Sequence, residues 1–256
     1  MKIPDIPIPI LLVGAPGTGK TAKVCQAFDY VEVCLASTMV EEDIGGLRYR
    51  DGDYDYSTIP AMFRRLQEHA YAGKSTCLFL DELDKARRSV ADTLLTLIAS
   101  RQVGAAKLPP STRIIAAANP PELGGSDGIS DTMISRFCVI DYIPDPLEWA
   151  DWADGFFASF AAQRVVEAVR QGELPILDIA GEGLNRRITA PRTLADALEI
   201  IEIGASHDLI RGLLTAATAS QVMHLIHQVS NPVLQKSIRL RRGKVKLDTP
   251  MQPLRI

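Results

Sequence analysis

The chain carries the octapeptide Gly14-Ala15-Pro16-Gly17-Thr18-Gly19-Lys20-Thr21 directly after the apolar residues 8–13. The octapeptide matches the pattern G-x-x-x-x-G-K-[ST], and a place between a predicted strand and a predicted helix is the context in which this pattern binds phosphate. Glycines let backbone N–H groups approach phosphate oxygens closely, and the following helix points the positive end of its dipole at the same anion. The octapeptide therefore predicts a phosphate-binding loop.

This loop and the residue after it supply the predicted nucleotide contacts. Lys20 adds a positive charge for the β- and γ-phosphates, and the Thr21 hydroxyl is a hard oxygen ligand suited to Mg²⁺. We therefore expect ATP and Mg²⁺ as cofactors. The residues expected to hold the nucleotide are Gly14, Ala15, Pro16, Gly17, Thr18, Gly19, Lys20, Thr21 and Ala22.

A second motif is the apolar run 77–80, which ends in Asp81-Glu82. Such a run predicts a strand that is buried on both faces and belongs to a parallel sheet. Because α/β sheets bind ligands at the carboxyl ends of their strands, we expect both carboxylates beside the loop. We assign Asp81 to the magnesium shell, and Glu82 to orienting and polarising the water that attacks the γ-phosphate. Asp84 is expected to be an ordinary first-turn acid, favoured by the helix dipole.

Size and composition are ordinary for a globular protein. The chain has 256 residues, of which 46% are apolar and 23% charged, and its net charge of −3 provides no overall basic field for nucleic acid. No apolar run reaches the length of a membrane span, and the amino terminus lacks the apolar core of a signal peptide. Cysteines without metal or disulfide spacing indicate a reducing cytoplasm; they are Cys25, Cys34, Cys77 and Cys138.

Apolar runs and helical patterns alternate along the first part of the chain. Core strands are predicted at residues 8–13, 31–35, 77–80, 113–117 and 137–141. Helical patterns lie between them, at residues 20–28, 60–72 and 87–100. This alternation predicts an α/β fold, namely a P-loop NTPase parallel five-stranded sheet flanked by helices.

Strand patterns end at Asp141, and two prolines within residues 143–146 force an extended break. We therefore predict an α/β nucleotide-binding core over residues 1–143 and a small C-terminal all-helical lid domain over residues 144–256. The helices of this second domain are predicted at residues 147–171, 192–206, 209–214 and 216–229.

Two hairpins are predicted inside the core. Residues 45–58 place Asp51-Gly52 between alternating tyrosines, which is a strong hairpin pattern. A second hairpin is predicted at residues 102–110, just before the strand at residues 113–117.

The order of these parts resembles the AAA+ ATPases, and most closely their MoxR-like branch within the wider dynein-related group. Residues 114–120 resemble the sensor-1 strand of that family, which implies that Asn119 shares the attacking water and the γ-phosphate with Glu82. Residues 131–137 resemble the arginine-finger segment, which implies that Arg136 reaches the γ-phosphate of a neighbouring subunit. Arg101 and Arg113 remain alternatives for this role in trans.

The resemblance extends into the second domain. Residues 190–193 resemble the sensor-2 motif, in which Arg192 contacts the nucleotide from the lid. Taken together, the resemblance implies a magnesium-dependent ATPase, with Lys20, Glu82, Asn119 and Arg136 as its catalytic residues.

The family also implies partners. Its members form rings, normally hexamers, and act as chaperone-like remodellers of a protein client. Partners with a von Willebrand factor A-type domain are common in the MoxR-like branch. The hairpin at residues 45–58 corresponds to an insert that faces clients in the family, so its tyrosines either grip a client or pack on their own domain; they are Tyr49, Tyr54 and Tyr56.

Two other functions remain open from the sequence. One is a nucleic-acid motor or loader, since a C-terminal stretch without acids is strongly basic. Its basic residues are Lys236, Arg239, Arg241, Arg242, Lys244 and Lys246. The other is a nucleotide-gated adaptor that binds ATP with little turnover. We expect no membrane partner.

Overall fold

The computed structural model describes residues 3–4, 6–124 and 128–229 of the chain. The chain divides into two compact units, Met1–Ile143 and Pro144–Ile256. The basic stretch at residues 236–246 lies outside the described residues. Among the residues that are described, no helix has both the length and the apolar character required to cross a membrane.

The first unit contains strands and helices in alternation. Its strands are β1 (Ile10–Val13), β2 (Tyr30–Leu35), β3 (Arg48–Asp51), β4 (Tyr54–Ser57), β5 (Thr76–Asp81), β6 (Gln102–Val103), β7 (Ala106–Lys107), β8 (Arg113–Ala118) and β9 (Cys138–Asp141). Its helices are α1 (Lys20–Ala27), α2 (Glu41–Gly45), α3 (Ala61–Tyr71), α4 (Arg88–Ser100), α5 (Pro121–Gly124) and α6 (Asp131–Ile134).

Five of these strands form one parallel sheet in the order β2-β5-β8-β1-β9. The predicted P-loop α/β fold with a five-stranded parallel sheet is confirmed. Strand β1 begins at Ile10, later than predicted, because Pro9 has no N–H to donate to a neighbouring strand. In the register, Val13 lies beside Ala118 on one side and Asp141 on the other. The loop after β1 therefore leaves from the middle of the carboxyl edge of the sheet.

Strand β5 is buried on both faces, as its wholly apolar sequence predicts. Leu78 and Leu80 belong to a core that contains side chains of α3 and α4, such as Phe63 and Leu94. The alternate residues of the strand, on the other face of the sheet, belong to a second core that also contains side chains of β1 and α1. Burying each large apolar side chain stabilises the fold by about 1.5–3 kcal/mol. The two cores fix β5, and with it the acids at its carboxyl end.

Both hairpins are present within their predicted intervals. Strands β3 and β4 pair antiparallel, and Gly52 in the turn between them has a φ of 60°, a left-handed value that glycine adopts readily. The hairpin is exposed, and the rings of Tyr49 and Tyr56 stack with centroids 5.5 Å apart. Strands β6 and β7 form the second, shorter hairpin.

The second unit is mainly helical but contains a hairpin as well. Its elements are α7 (Pro146–Asp154), α8 (Phe160–Arg170), β10 (Asp178–Ala180), β11 (Arg187–Thr189), α9 (Pro191–Glu202), α10 (Asp208–Leu213) and α11 (Ala216–Val229). The prediction that this domain is all-helical is therefore wrong at β10 and β11, which pair antiparallel. At the bend after β10, Gly181 has a φ of 79°, and a Cβ there would lie 2.5 Å from the Asn185 carbonyl oxygen. Strands of three residues are too short to show a period-2 pattern.

The helix predicted at residues 147–171 is two helices. Helix α7 ends at Asp154, and α8 starts again after Ser159, whose side chain accepts a hydrogen bond from the Ala162 N–H at 3.2 Å. A serine at the N-cap stabilises a helix start by about 1 kcal/mol. Phe157, between the two helices, is buried in the core of this unit. Apolar side chains in the connection between α7 and α8 continue the helical spacing of apolar residues, so the sequence predicted one helix.

Candidate nucleotide-binding site

The loop between β1 and α1 has the conformation of a phosphate cradle. Gly17 and Gly19 have φ values of 77° and 92°, which only glycine adopts without strain. The Thr18 hydroxyl donates to the Ala15 carbonyl oxygen at 2.8 Å and closes the turn. At Gly14, a Cβ would lie 2.6 Å from the Tyr142 carbonyl oxygen, so the loop passes too close to its neighbour for any side chain.

Lys20 lies over this loop, in the first turn of α1. It is only 8% exposed, and its ammonium group donates to the carbonyl oxygens of Gly14 at 2.6 Å and Ala15 at 3.0 Å. It also donates to the Asn119 Oδ1 at 3.3 Å. The fold therefore brings together two predicted site residues that are 99 positions apart in the chain.

Thr21 meets the acid at the end of β5. Its hydroxyl donates to the Asp81 Oδ2 at 2.6 Å, and the Asp81 Oδ1 accepts from the Glu82 N–H at 2.9 Å. A hydroxyl and a carboxylate side by side are the hard oxygen donors that Mg²⁺ prefers. Since Mg²⁺ keeps several water or phosphate ligands, two protein oxygens are enough. The pair fits the predicted magnesium site.

The Glu82 carboxylate is hydrogen-bonded to groups other than Thr21 and Asp81. Its backbone is left-handed, with φ 53° and ψ 41°, a conformation that is uncommon outside glycine. Its carboxylate accepts from the Ser37 hydroxyl at 2.7 Å and from the Lys85 ammonium at 3.0 Å. These two donors, Ser37 first, lower the pKa of Glu82 below its ordinary value. The carboxylate is thus ionised and held by groups other than the predicted catalytic ones.

The three predicted or alternative arginines of the first unit differ in environment. Arg136 is exposed, just after α6. By contrast, the Arg101 guanidinium donates to the carbonyl oxygens of Pro109 at 2.8 Å and Thr112 at 2.6 Å, inside its own subunit. Arg113 donates to the Ser111 carbonyl oxygen at 3.4 Å. Arg101 is therefore the least suited of the three to reach another subunit.

In the second unit, Arg192 is the second residue of α9 and is exposed. Asp196 follows one turn later, where burial and Glu199 raise its pKa while Arg192 opposes the rise.

Comparison with protein families identifies the first unit. Residues 9–137 match the model of the AAA domain, dynein-related subfamily, which covers about half of the chain. The chain belongs to the dynein-related subfamily of AAA domains. The match contains β1, the loop after it, Asp81 and Glu82 at the carboxyl end of β5, and Arg136. The resemblance to AAA+ ATPases is thus confirmed.

Solved structures similar to this AAA chain have low sequence identity. NtrX from Brucella abortus in complex with ADP is 15% identical, with 92% of this chain and 56% of that chain covered and a TM-score of 0.47. The K64R mutant of RuvB from Thermotoga maritima is 16% identical, with 93% and 70% covered and a TM-score of 0.44. No curated protein sequence matches the chain.

Two residues of this AAA domain were missed from the sequence. Asp84 lies in a first helical turn as expected, but it is buried and accepts from the Asn119 N–H at 3.2 Å, so it is not an ordinary first-turn acid. It fixes the backbone of a predicted catalytic residue. Ser37, which holds Glu82, follows β2 at the same edge of the sheet. A search for polar residues after every predicted strand would have found Ser37. No sequence pattern around Asp84 indicates its contact with Asn119.

Replacing Ser37 by alanine tests the cause of the lowered pKa of Glu82. With one donor lost, the pKa of this carboxyl rises, so more of it is protonated at acidic pH. Because the pH profile of kcat/KM reports the free enzyme, its acidic limb is expected to move to higher pH, with the alkaline side unchanged.

The measurement is the pH dependence of kcat/KM for ATP in the original chain and in the Ser37→Ala variant. Thr38→Ala is the matched control, because the Thr38 hydroxyl donates to the Leu35 carbonyl oxygen and not to Glu82. Identical acidic limbs for Ser37→Ala and Thr38→Ala would contradict the assignment of Ser37 as a cause of the lowered pKa of Glu82.

Proposed function

We propose that this AAA chain is a magnesium-dependent ATPase that works as a ring and remodels a protein partner. One observation carries the catalytic part: the hydrogen bonds from Thr21 to Asp81 and from Lys20 to Asn119 join the loop to the carboxyl ends of β5 and β8. An anion-binding loop, a pair of hard oxygens and a neutral amide then lie at one edge of the sheet. This combination suits binding and cleavage of a triphosphate.

The residues of the loop divide the work of binding. Backbone N–H groups of residues 17–22 and the Lys20 ammonium bind the phosphates of ATP, while Thr21 and Asp81 would hold Mg²⁺. When bound, Mg²⁺ supplies neutralisation of the charge on the phosphate oxygens. The carbonyl oxygens that now accept from Lys20 hold its ammonium over the loop, and phosphate oxygens would replace some of these acceptors on binding.

The hydrolytic step is assigned to Glu82 and Asn119. The ionised Glu82 carboxylate orients a water for in-line attack and takes its proton, and the Asn119 amide positions the same water. Asp84 supports this arrangement by holding the Asn119 N–H.

Two arginines connect hydrolysis with assembly. An exposed, permanently charged Arg136 is suited to the γ-phosphate of the next subunit in a ring, which we propose to be a hexamer. Arg192 is proposed to contact the nucleotide as well. Loss of the γ-phosphate removes both contacts, and the change is passed to a protein partner, for which a von Willebrand factor A-type protein is a candidate. The exposed tyrosines of the β3–β4 hairpin offer a contact surface.

Replacing Lys20 by alanine tests nucleotide binding. Hydrogen bonds to charged groups contribute about 1.5–3 kcal/mol, so ATP affinity should fall roughly 10- to 150-fold. Isothermal titration with ATP and magnesium measures the change.

Lys74→Ala is the matched control, since Lys74 lies just before β5, at the end of the sheet opposite to the loop. Equal ATP affinity in the Lys20 and Lys74 variants would refute the proposed site.

A further inference from the structure

The second unit contains a buried polar network at the start of α11. Thr189 and Thr218 are 0% exposed and Thr215 is 1% exposed, and the hydroxyls of Thr215 and Thr218 are hydrogen-bonded to the Asp178 carboxylate. Buried hydroxyls destabilise a fold unless they are hydrogen-bonded. An apolar core would connect the same elements without that requirement.

The network ties the β10–β11 hairpin to α11. The Asp178 Oδ2 accepts from the Thr215 hydroxyl and, at 3.3 Å, from the Thr218 hydroxyl. The Thr215 N–H donates to the Thr189 Oγ1 at 3.2 Å. Asp178 and Thr189 are direct neighbours across the hairpin. Side chains from both strands thus hold the residue that precedes α11.

Arg192 comes three residues after Thr189, and the backbone on both sides of it is fixed. The Thr193 hydroxyl accepts from the Ala190 N–H at 2.9 Å and donates to the Ile188 carbonyl oxygen at 3.0 Å. The Trp149 indole N–H donates to the Pro191 carbonyl oxygen at 3.2 Å. Arg192 therefore projects from a segment whose position is set by β11, and β11 is set by the threonine network.

We propose that Asp178, Thr189 and Thr215 are positioning residues for Arg192. The network holds the end of β11 in one place, and the start of α9 carries the arginine from there. A fully hydrogen-bonded buried network favours a single arrangement more strongly than apolar packing does, because alternatives leave polar groups unpaired. The proposal rests on the nucleotide-binding role of Arg192 proposed above. It adds the residues that link the start of α11 to the segment that carries Arg192.

The central experiment compares Thr215→Val with Thr215→Ser in the full chain, with ATP and magnesium as substrate. Valine keeps the shape and removes the hydroxyl, whereas serine keeps the hydroxyl. Since a misplacement of about 1 Å lowers a rate up to about 100-fold, we expect the valine variant to lose roughly 3- to 10-fold in kcat/KM. The serine variant is expected to remain within about twofold of the original chain.

A double-mutant cycle shows whether the effect passes through Arg192. Arg192→Ala should lower kcat/KM at least as much as Thr215→Val does. In the Arg192→Ala background, Thr215→Val should cause no further loss in kcat/KM, although it still lowers the melting temperature. Equal losses in both backgrounds would show that the network only stabilises the unit, and would overturn the proposal.

A matched control separates stability from position. The Thr112 hydroxyl forms a buried hydrogen bond of 2.9 Å with the Thr76 hydroxyl in the first unit, at the strand ends opposite to the loop. Thr112→Val should lower the melting temperature and leave kcat/KM unchanged. If Thr215→Val does not fold, Thr218→Val, which removes the hydroxyl bonded to Asp178 at 3.3 Å and to Thr215 at 2.9 Å, replaces it in the cycle.

The outcomes also separate this proposal from the proposed function. If Arg192→Ala leaves kcat/KM unchanged while Glu82→Gln abolishes turnover, the ATPase assignment stands and the positioning proposal is overturned. If Arg192→Ala lowers kcat/KM but neither Thr215→Val nor Thr218→Val does, the role of Arg192 stands and only the positioning role of the network is overturned.

Discussion

Replacing Arg136 by alanine is expected to lower ATP turnover about 10³- to 10⁵-fold, the range observed for arginines that stabilise phosphoryl-transfer transition states in trans. The residue is exposed, and it lies two residues before β9 in the segment after α6. Its absence removes a planar, permanent charge from the transition state but leaves the loop and its lysine intact. ATP affinity should therefore change little, which titration of the variant with ATP measures.

Mixing two inactive variants tests whether this arginine acts between subunits. Arg136→Ala subunits keep an intact loop, and Lys20→Ala subunits keep an intact arginine. A mixed ring contains some sites in which both are present, so part of the turnover should return on mixing. Arg64→Ala, which removes an exposed arginine on α3, is the matched control and should retain full turnover.

Two results would count against this assignment. If mixtures of the two variants stay as inactive as either variant alone, the site is not shared between subunits. If Arg113→Ala loses turnover and Arg136→Ala does not, the arginine in trans is the alternative that the sequence left open.

Replacing Glu82 by glutamine is expected to lower turnover about 10²- to 10⁴-fold, because the amide cannot take a proton from water. Glutamine keeps the length of the side chain and one of the two oxygens that accept from Ser37 and Lys85. The variant should therefore bind ATP with near-normal affinity and retain it. Single-turnover hydrolysis and the ratio of ATP to ADP in the isolated complex measure both effects.

Glu68→Gln on the exposed side of α3 provides the control, since it makes the same chemical change far from the loop in sequence. Turnover in the Glu82 variant equal to that of the Glu68 variant would remove Glu82 from the role of base. In that case the Asp81 carboxylate, already bonded to Thr21, would remain as the acid of the site.

The sequence gives a good account of the first unit and a weaker one of the second. Apolar runs bounded by turn residues located all the strands of the main sheet to within a few residues. The short β10–β11 hairpin and the break between α7 and α8 were missed, because both depend on single residues such as Gly181 and Ser159. Patterns that need several repeats of a period do not detect features of this length.

The octapeptide and the acids after β5 are local patterns, and the chain alone determined that it has a phosphate loop and a candidate magnesium pair. Tertiary structure decided which side chains meet: Lys20 with Asn119, Thr21 with Asp81, and Glu82 with Ser37 rather than with the loop. The reason is that these contacts join residues 99, 60 and 45 positions apart. They exist only because the order β2-β5-β8-β1 places those strand ends side by side.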